Sequence, residues 1–140
     1  MNPYLKNQIE TSTPEQILIL LYDGAIKNLM QSKIFIEKKD IENSHNCLIK
    51  AQKIIQELQN SLNKDINTEL YENLSGLYSY YIKRLIEANI KKDINPIDEV
   101  IEHLKGLRDT WKKAILENNK VKAESYKYYN DDNEDSYYNS

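Results

Sequence analysis

From Thr13 onward, apolar residues recur every three or four positions in four runs separated by short polar stretches, the spacing of one buried face on a helix. The first run is Leu18, Leu21, Tyr22, Ala25, Leu29 and Ile36. It opens on Thr13 as N-cap, Pro14 at the favoured first helical position and Gln16 as the reciprocal partner of a capping box, and predicts a helix to about Glu37. The second run, Ile41, Ser44, Leu48, Ala51, Ile55, Leu58 and Leu62, is the most regular, with Asp40 placed to cap it and an end near Asn63. The third, Leu70, Leu74, Leu77, Tyr81, Leu85 and Ala88, follows Thr68 as a cap and closes around Ile90. The fourth starts on Asn95 and Pro96 and continues through Ile97, Ile101, Leu104, Leu107 or Arg108, Trp111 and Ile115. A connection as short as Lys38-Lys39-Asp40 forces its two helices to run antiparallel. The expectation is an all-α, antiparallel up-down-up-down four-helix bundle over residues 13–117.

The ends read differently. Residues 1–12 form an arm that is not helical by pattern, with Pro3, Tyr4, Leu5 and Ile9 standing out from polar neighbours. Residues 118–140 form an acidic, tyrosine-rich tail holding five of the eleven tyrosines among Asp131, Asp132, Glu134 and Asp135. With Val121 and Ala123 as its last aliphatic residues it has no means to build a core, and it is expected to be a flexible segment or at most a short dangling helix.

Composition agrees with helices and narrows the partners. Three glycines and three prolines in 140 residues are too few turn formers for a many-stranded β protein. A formal net charge of -3 with no basic stripe argues against a nucleic-acid partner, which would require a cationic field. The single cysteine, Cys47, forms no internal disulfide, which fits a reducing cytoplasm. The densest apolar run, Ile17 to Tyr22, falls far short of the roughly 20 residues a membrane helix needs, and no secretory signal opens the chain. A soluble, cytoplasmic protein without membrane insertion is expected.

Candidate chemistry is sparse. A di-iron bundle requires Glu-x-x-His on two helices, and only Glu42-Asn43-Ser44-His45 has that spacing, since His103 is preceded by Val100 at the matching position. His103-Leu104-Lys105 resembles a histidine phosphotransfer site but puts the lysine two positions on, about 200° around the helix, so a solvent-facing histidine is expected. No nucleophile and base, no phosphate loop and no carboxylate pair in an apolar setting can be picked out. The expectation is no enzyme, no cofactor and no metal. Gly24, Gly76 and Gly106 fall inside helices and read as points of close helix contact in preference to the alternative, room for a guest backbone.

The informative signal is a surplus of apolar residues beyond one stripe per helix. Off the stripes lie Ile17, Ile19, Leu20, Ile34 and Phe35 on the first helix, Ile49 and Ile54 on the second, and Tyr71, Tyr78, Ile82 and Ile86 on the third. A second apolar face makes a groove in which an amphipathic helix or an extended peptide docks, and Ile49, Ile54, Tyr78, Ile82 and Ile86 are its candidate lining. The competing reading is that a wide stripe simply fills the core of a small bundle.

One family shares these features in order and spacing: Asn2-Pro3-Tyr4, Thr11-Ser12-Thr13-Pro14-Glu15, Leu21-Tyr22-Asp23-Gly24-Ala25, Lys50-Ala51 with Ile54-Ile55 and Leu58, Leu77-Tyr78 with Tyr80, Arg84-Leu85, Glu87-Ala88-Asn89, Glu99-Val100 and Trp111-Lys112. Over about Asn2 to Ile115 the chain resembles the FliS family of flagellar secretion chaperones. The resemblance implies a cytoplasmic export chaperone that binds the disordered C-terminal segment of flagellin, prevents premature polymerisation and delivers it to the flagellar type III export apparatus. It also implies that the client wraps the bundle and becomes partly helical, and that Tyr4 and Ile9 of the N-terminal arm plug the groove when it is empty. The tail after Asn118 lies beyond the resemblance and leaves two roles open, keeping the protein soluble or contacting another export component. A structural oligomer such as a helix-swapped homodimer is the competing class.

Overall fold

The structure, a computed structural model, describes residues 3, 6, 7, 12–65 and 67–138, with side chains described as far as residue 125 and at 127. Four helices carry it: α1 (Pro14–Glu37), α2 (Ile41–Asn60), α3 (Thr68–Lys91) and α4 (Ile94–Tyr138). The chain falls into two compact units, residues 1–108 and 109–140.

The starts show which polar side chains win the helix ends. Thr13 accepts from the Gln16 amide at 3.2 Å while the Gln16 side chain accepts from the Thr13 amide at 3.0 Å, so the expected capping box is present. Asp40 caps α2 through the Asn43 amide at 3.1 Å. Two expected starts are corrected. Asn67, not Thr68, caps α3 by accepting from the Leu70 amide at 3.0 Å. Asp93 accepts from the Asn95 amide at 3.0 Å and α4 begins at Ile94, two residues early. Pro96 then falls in the first turn, where a missing amide hydrogen forfeits no intrahelical bond.

Two further differences concern the ends of the chain. Pro3, Lys6 and Asn7 lie in helical conformation, although the arm's pattern is not helical. Asn2-Pro3 is itself the polar-then-proline helix start read elsewhere in the sequence. In the second unit, α4 continues past Asn118 to Tyr138. No glycine or proline follows Gly106, so nothing local stops the helix. Residues 116–125 and 127 are exposed all round, as befits a segment with no core of its own.

Within residues 1–108 the cross-links define the topology. Asp23 and Lys33 on α1 pair with Arg108 and Asp98 on α4 at 3.0 and 2.6 Å. Gln59 and His45 on α2 bond Ser79 and Asn89 on α3 at 2.7 and 2.9 Å. Arg84 on α3 pairs with Glu99 on α4 at 2.9 Å. In the α1–α4 and α2–α3 seams, residues earlier on one helix meet residues later on its neighbour in reversed order, the signature of antiparallel packing. Inside lie Leu29, Leu48, Ile55, Leu58, Leu85, Ile97 and Leu104, fully buried, with Tyr22, Tyr78 and Tyr81. The stripes run out at helix ends: Ile41 and Leu70, expected in the core, are exposed. Among the described residues no helix is long and apolar enough to cross a membrane.

The core is built around phenols. The Tyr22 and Tyr78 hydroxyls bond each other across the diagonal between α1 and α3, and Tyr81 bonds His103 Nδ1 at 3.0 Å. Burial pushes the Tyr81 phenol up to about 12, and the Tyr78 phenol is raised by burial and by Tyr22 beside it. In the unfolded chain both phenols ionise near 10, so above that pH the unfolded state binds fewer protons and stability must fall. The melting temperature is expected to hold up to about pH 10 and to drop between 10 and 12, each phenol contributing up to about 1.4 kcal/mol per pH unit. A flat melting temperature across that window would contradict the burial of these tyrosines.

The glycines correct another expectation. A Cβ on Gly24 would stand 3.5 Å from Ile54 Cδ1, in ordinary contact, whereas at Gly76 and Gly106 nothing lies within 4 Å. Only Gly24 marks a close helix approach. Gly76→Ala should therefore stabilise by about 1 kcal/mol through helix propensity alone, read as a higher denaturation midpoint; a loss of stability would show a hidden contact there.

Candidate functional site

Three seams of the ring are accounted for on different terms. The α3–α4 seam is closed by charge. Arg84 Nη2 and Nε reach Glu99 Oε2 at 2.9 and 3.1 Å, Arg84 Nη1 reaches Glu87 at 2.9 Å, and the Tyr80 hydroxyl donates to Glu99. The Tyr80 hydrogen bond, followed by Arg84, holds the Glu99 carboxyl below its ordinary value. The α1–α4 seam carries the Asp23 and Lys33 pairs described above, with Met30 and Ile34 each 50% exposed beside them.

The α2–α3 seam is different. His45, Ile49, Gln52, Gln56 and Gln59 follow one another by fours and threes on α2, and Ser75, Ser79, Ile82, Ile86 and Asn89 do so on α3, so each set forms a row on one helix face. Polar clamps tie the rows at both ends. Gln59 Nε2 donates to the Ser75 carbonyl at 2.9 Å and to the Ser79 hydroxyl at 2.7 Å, and Asn89 bonds His45 at 2.9 Å. Between the clamps lie three apolar side chains: Ile49 and Ile82 are half-buried and Ile86 is 45% exposed. Ile90, one turn beyond Ile86, is 78% exposed. Among them Gln52 Nε2 is buried without a hydrogen-bond partner, the sole such side-chain atom among the described residues. A buried amide that bonds nothing costs about 1–3 kcal/mol, which an acceptor brought by a guest chain would recover.

The candidate lining therefore divides. Ile49, Ile82 and Ile86 share the α2–α3 rows. Ile54 lies on the other flank of α2, against Gly24 of α1. Tyr78 is 1% exposed and bonded to Tyr22, so it is a core residue and not a groove wall. Its off-stripe position misled because the buried arc of α3 is broad enough to include both Tyr78 and Tyr81, three residues apart. Tyr4 and Ile9 lie outside the described residues. Ile90 and Met30 were missed by the sequence reading, yet Ile90 continues the Ile82-Ile86 spacing by one more turn.

The histidines are surface residues, His45 bonded to Asn89 and His103 to Tyr81. Among the described residues no three His, Cys, Asp or Glu side chains gather as metal ligands. Cys47 is buried, and that burial pushes its thiol up, away from the reactive thiolate.

An all-helical bundle that keeps a clamped apolar row on one outer face belongs, as a class, with helical binding scaffolds. The profile of the family described as flagellar protein FliS matches residues 1–118. The flagellar secretion chaperone FliS of Bacillus subtilis is 40% identical over 117 residues, covering 81% of this chain and 86% of that protein. Its counterpart in Salmonella typhimurium is 33% identical over 109 residues, covering 77% and 81%. A crystal structure of a flagellar chaperone from bacteria superposes with a TM-score of 0.69 at 27% identity, over 80% of this chain and 91% of that one. The chain belongs to the FliS family of flagellar secretion chaperones.

Proposed function

We propose that the chain is a cytoplasmic export chaperone that binds the disordered C-terminal segment of flagellin, keeps it from polymerising early and delivers it to the flagellar type III export apparatus. It works by binding alone, without catalysis. The observation that carries the reading is the α2–α3 row: isoleucines left partly in solvent around a buried amide donor that has no partner. A segment laid along that row would cover Ile49, Ile82 and Ile86 and offer a backbone carbonyl to Gln52 Nε2. Folding of the client on the bundle costs roughly 2–5 kcal/mol, which apolar burial along such a row must exceed.

Residues 13–117 are the client-binding domain in this reading, residues 1–12 the arm that plugs the groove through Tyr4 and Ile9, and the acidic tail from 118 a solubilising segment or a contact for export components. Removing residues 1–12 should then tighten client binding several-fold, measured by anisotropy with a labelled flagellin C-terminal peptide. Unchanged or weaker binding would take the plug out of the account.

The function itself is tested by assembly. Equimolar chain added to monomeric flagellin under polymerising conditions should suppress filament growth followed by light scattering, and should form no complex with flagellin cut short at its C-terminus. Filaments growing at the uninhibited rate, with no complex recovered, would overturn the reading.

A further inference from the structure

The end of the bundle where α1 turns into α2 holds a cleft of about 300 Å³ lined by Ile36, Lys39, Asp40, Ile41, Ser44 and Lys92, a volume at the small end for ligand sites. Its floor is apolar, and Ile41 stands 67% exposed at its edge. Both lysines are in the left-handed region, Lys39 at φ 59° and Lys92 at φ 53°, and among the described residues no other non-glycine residue has a positive φ. Each ends a helix. The Lys39 and Asp40 amides bond the Ile36 and Phe35 carbonyls, and the Lys92 and Asp93 amides both bond Ala88. Glycine is the residue that takes this turn freely, so keeping a lysine twice, at two separate turns meeting in one cleft, favours side chain over backbone ease.

The charges are arranged for an anion. Neither lysine pairs with a carboxylate among the described residues. Lys92 Nζ is held by Asn89 Oδ1 at 2.5 Å, and burial lowers its ammonium pKa, a cost that an incoming negative charge removes. Asp40 makes no ion pair with either lysine; its two oxygens take the Asn43 amide at 3.1 Å and the Asn43 side chain at 2.7 Å. Their remaining lone pairs accept from an N–H entering the cleft. The turn amides all point back into α1 and α3, so the lysine side chains are what the cleft offers a carboxylate.

We propose that this cleft receives the free C-terminus of a peptide ending in a large apolar residue: the side chain on Ile36 and Ile41, the carboxylate between Lys39 and Lys92, the last amide hydrogen on Asp40. The site lies apart from the α2–α3 row and does not rest on the flagellin reading.

The full chain is titrated by fluorescence anisotropy into fluorescein-labelled Gly-Gly-Ser-Ala-Leu with a free carboxylate, and into the same peptide ending in a carboxamide. Saturable binding of the acid is expected, at least ~10-fold weaker for the amide and weakened by salt. The Lys39→Gly, Lys92→Gly double variant should melt at the same or a higher temperature, relieved of two strained turns, and lose binding by at least ~10-fold. Ile82→Asp with Ile86→Asp should keep it. Equal binding of acid and amide, binding of neither, or full binding by the glycine variant would overturn the proposal. So would octanoate displacing the peptide at equal concentration, since it has the chain and the carboxylate but no amide.

Discussion

Replacing Ile82 and Ile86 together by aspartate is expected to weaken binding of flagellin's C-terminal segment by about 100-fold or more while thermal unfolding remains one cooperative transition. Complete burial of an isoleucine side chain contributes about 1.5–3 kcal/mol, so covering the parts of Ile82 and Ile86 still in solvent contributes about 1–2 kcal/mol together, roughly one decade of affinity. Aspartate adds the cost of drawing a charge out of water. Ile86 is 45% exposed in the unbound chain, so Ile86→Asp alone should leave the melt nearly unchanged and still weaken the client by about 10-fold. Wild-type affinity in the double variant, with the fold intact, would move the client to another face. Met30 and Ile34, half exposed on the α1–α4 side, would then be the next place to look.

The largest stability effect should come from the tyrosine pair at the centre. Tyr78 is 1% exposed, so Tyr78→Ala removes a whole ring from a closed core and should cost about 3–5 kcal/mol. Tyr22→Phe keeps the ring but takes from the buried Tyr78 hydroxyl its bond to Tyr22, a change expected to cost about 1–3 kcal/mol. Both are read from denaturant midpoints. Client affinity should be unchanged in Tyr22→Phe, because the pair lies inside. If Tyr78→Ala melted like the wild type and lost only client binding, Tyr78 would be a groove residue as its off-stripe position first suggested.

How far the fold was legible follows from where each signal lives. The Thr13-Pro14-Gln16 box and the stripe on α2 are local, set by residues three or four apart, and they led to the right helices. How far α4 runs into the tail was not legible. Composition tells that residues 118–138 cannot be buried, but an exposed helix without breakers looks the same in composition as a segment with no helix. At Asn67 and Asp93 two capping side chains stood side by side with other candidates, and only the path of the chain decided between them.

The site was partly legible for the same reason. Counting residues off a stripe picked out Ile49, Ile82 and Ile86, which share the α2–α3 rows, but it assigned no direction around the helix. It therefore joined Ile54, which leans on Gly24, and Tyr78, which meets Tyr22 inside, to a face they do not share. The Gln52 amide could not be foreseen, since being unpartnered is a property of neighbours brought together by the fold. The cleft at Lys39 and Lys92 is of that kind too: two lysines more than fifty positions apart line one cleft only because α1 and α3 finish at the same end of the bundle.

Calorimetric titration of flagellin's C-terminal segment into the purified chain, repeated at several temperatures, tests the central claim most directly. The account predicts one segment per chain, with a heat capacity change that is clearly negative as apolar surface on both partners leaves water. No heat and no complex at any temperature, or a binding heat whose heat capacity change is zero, would contradict it.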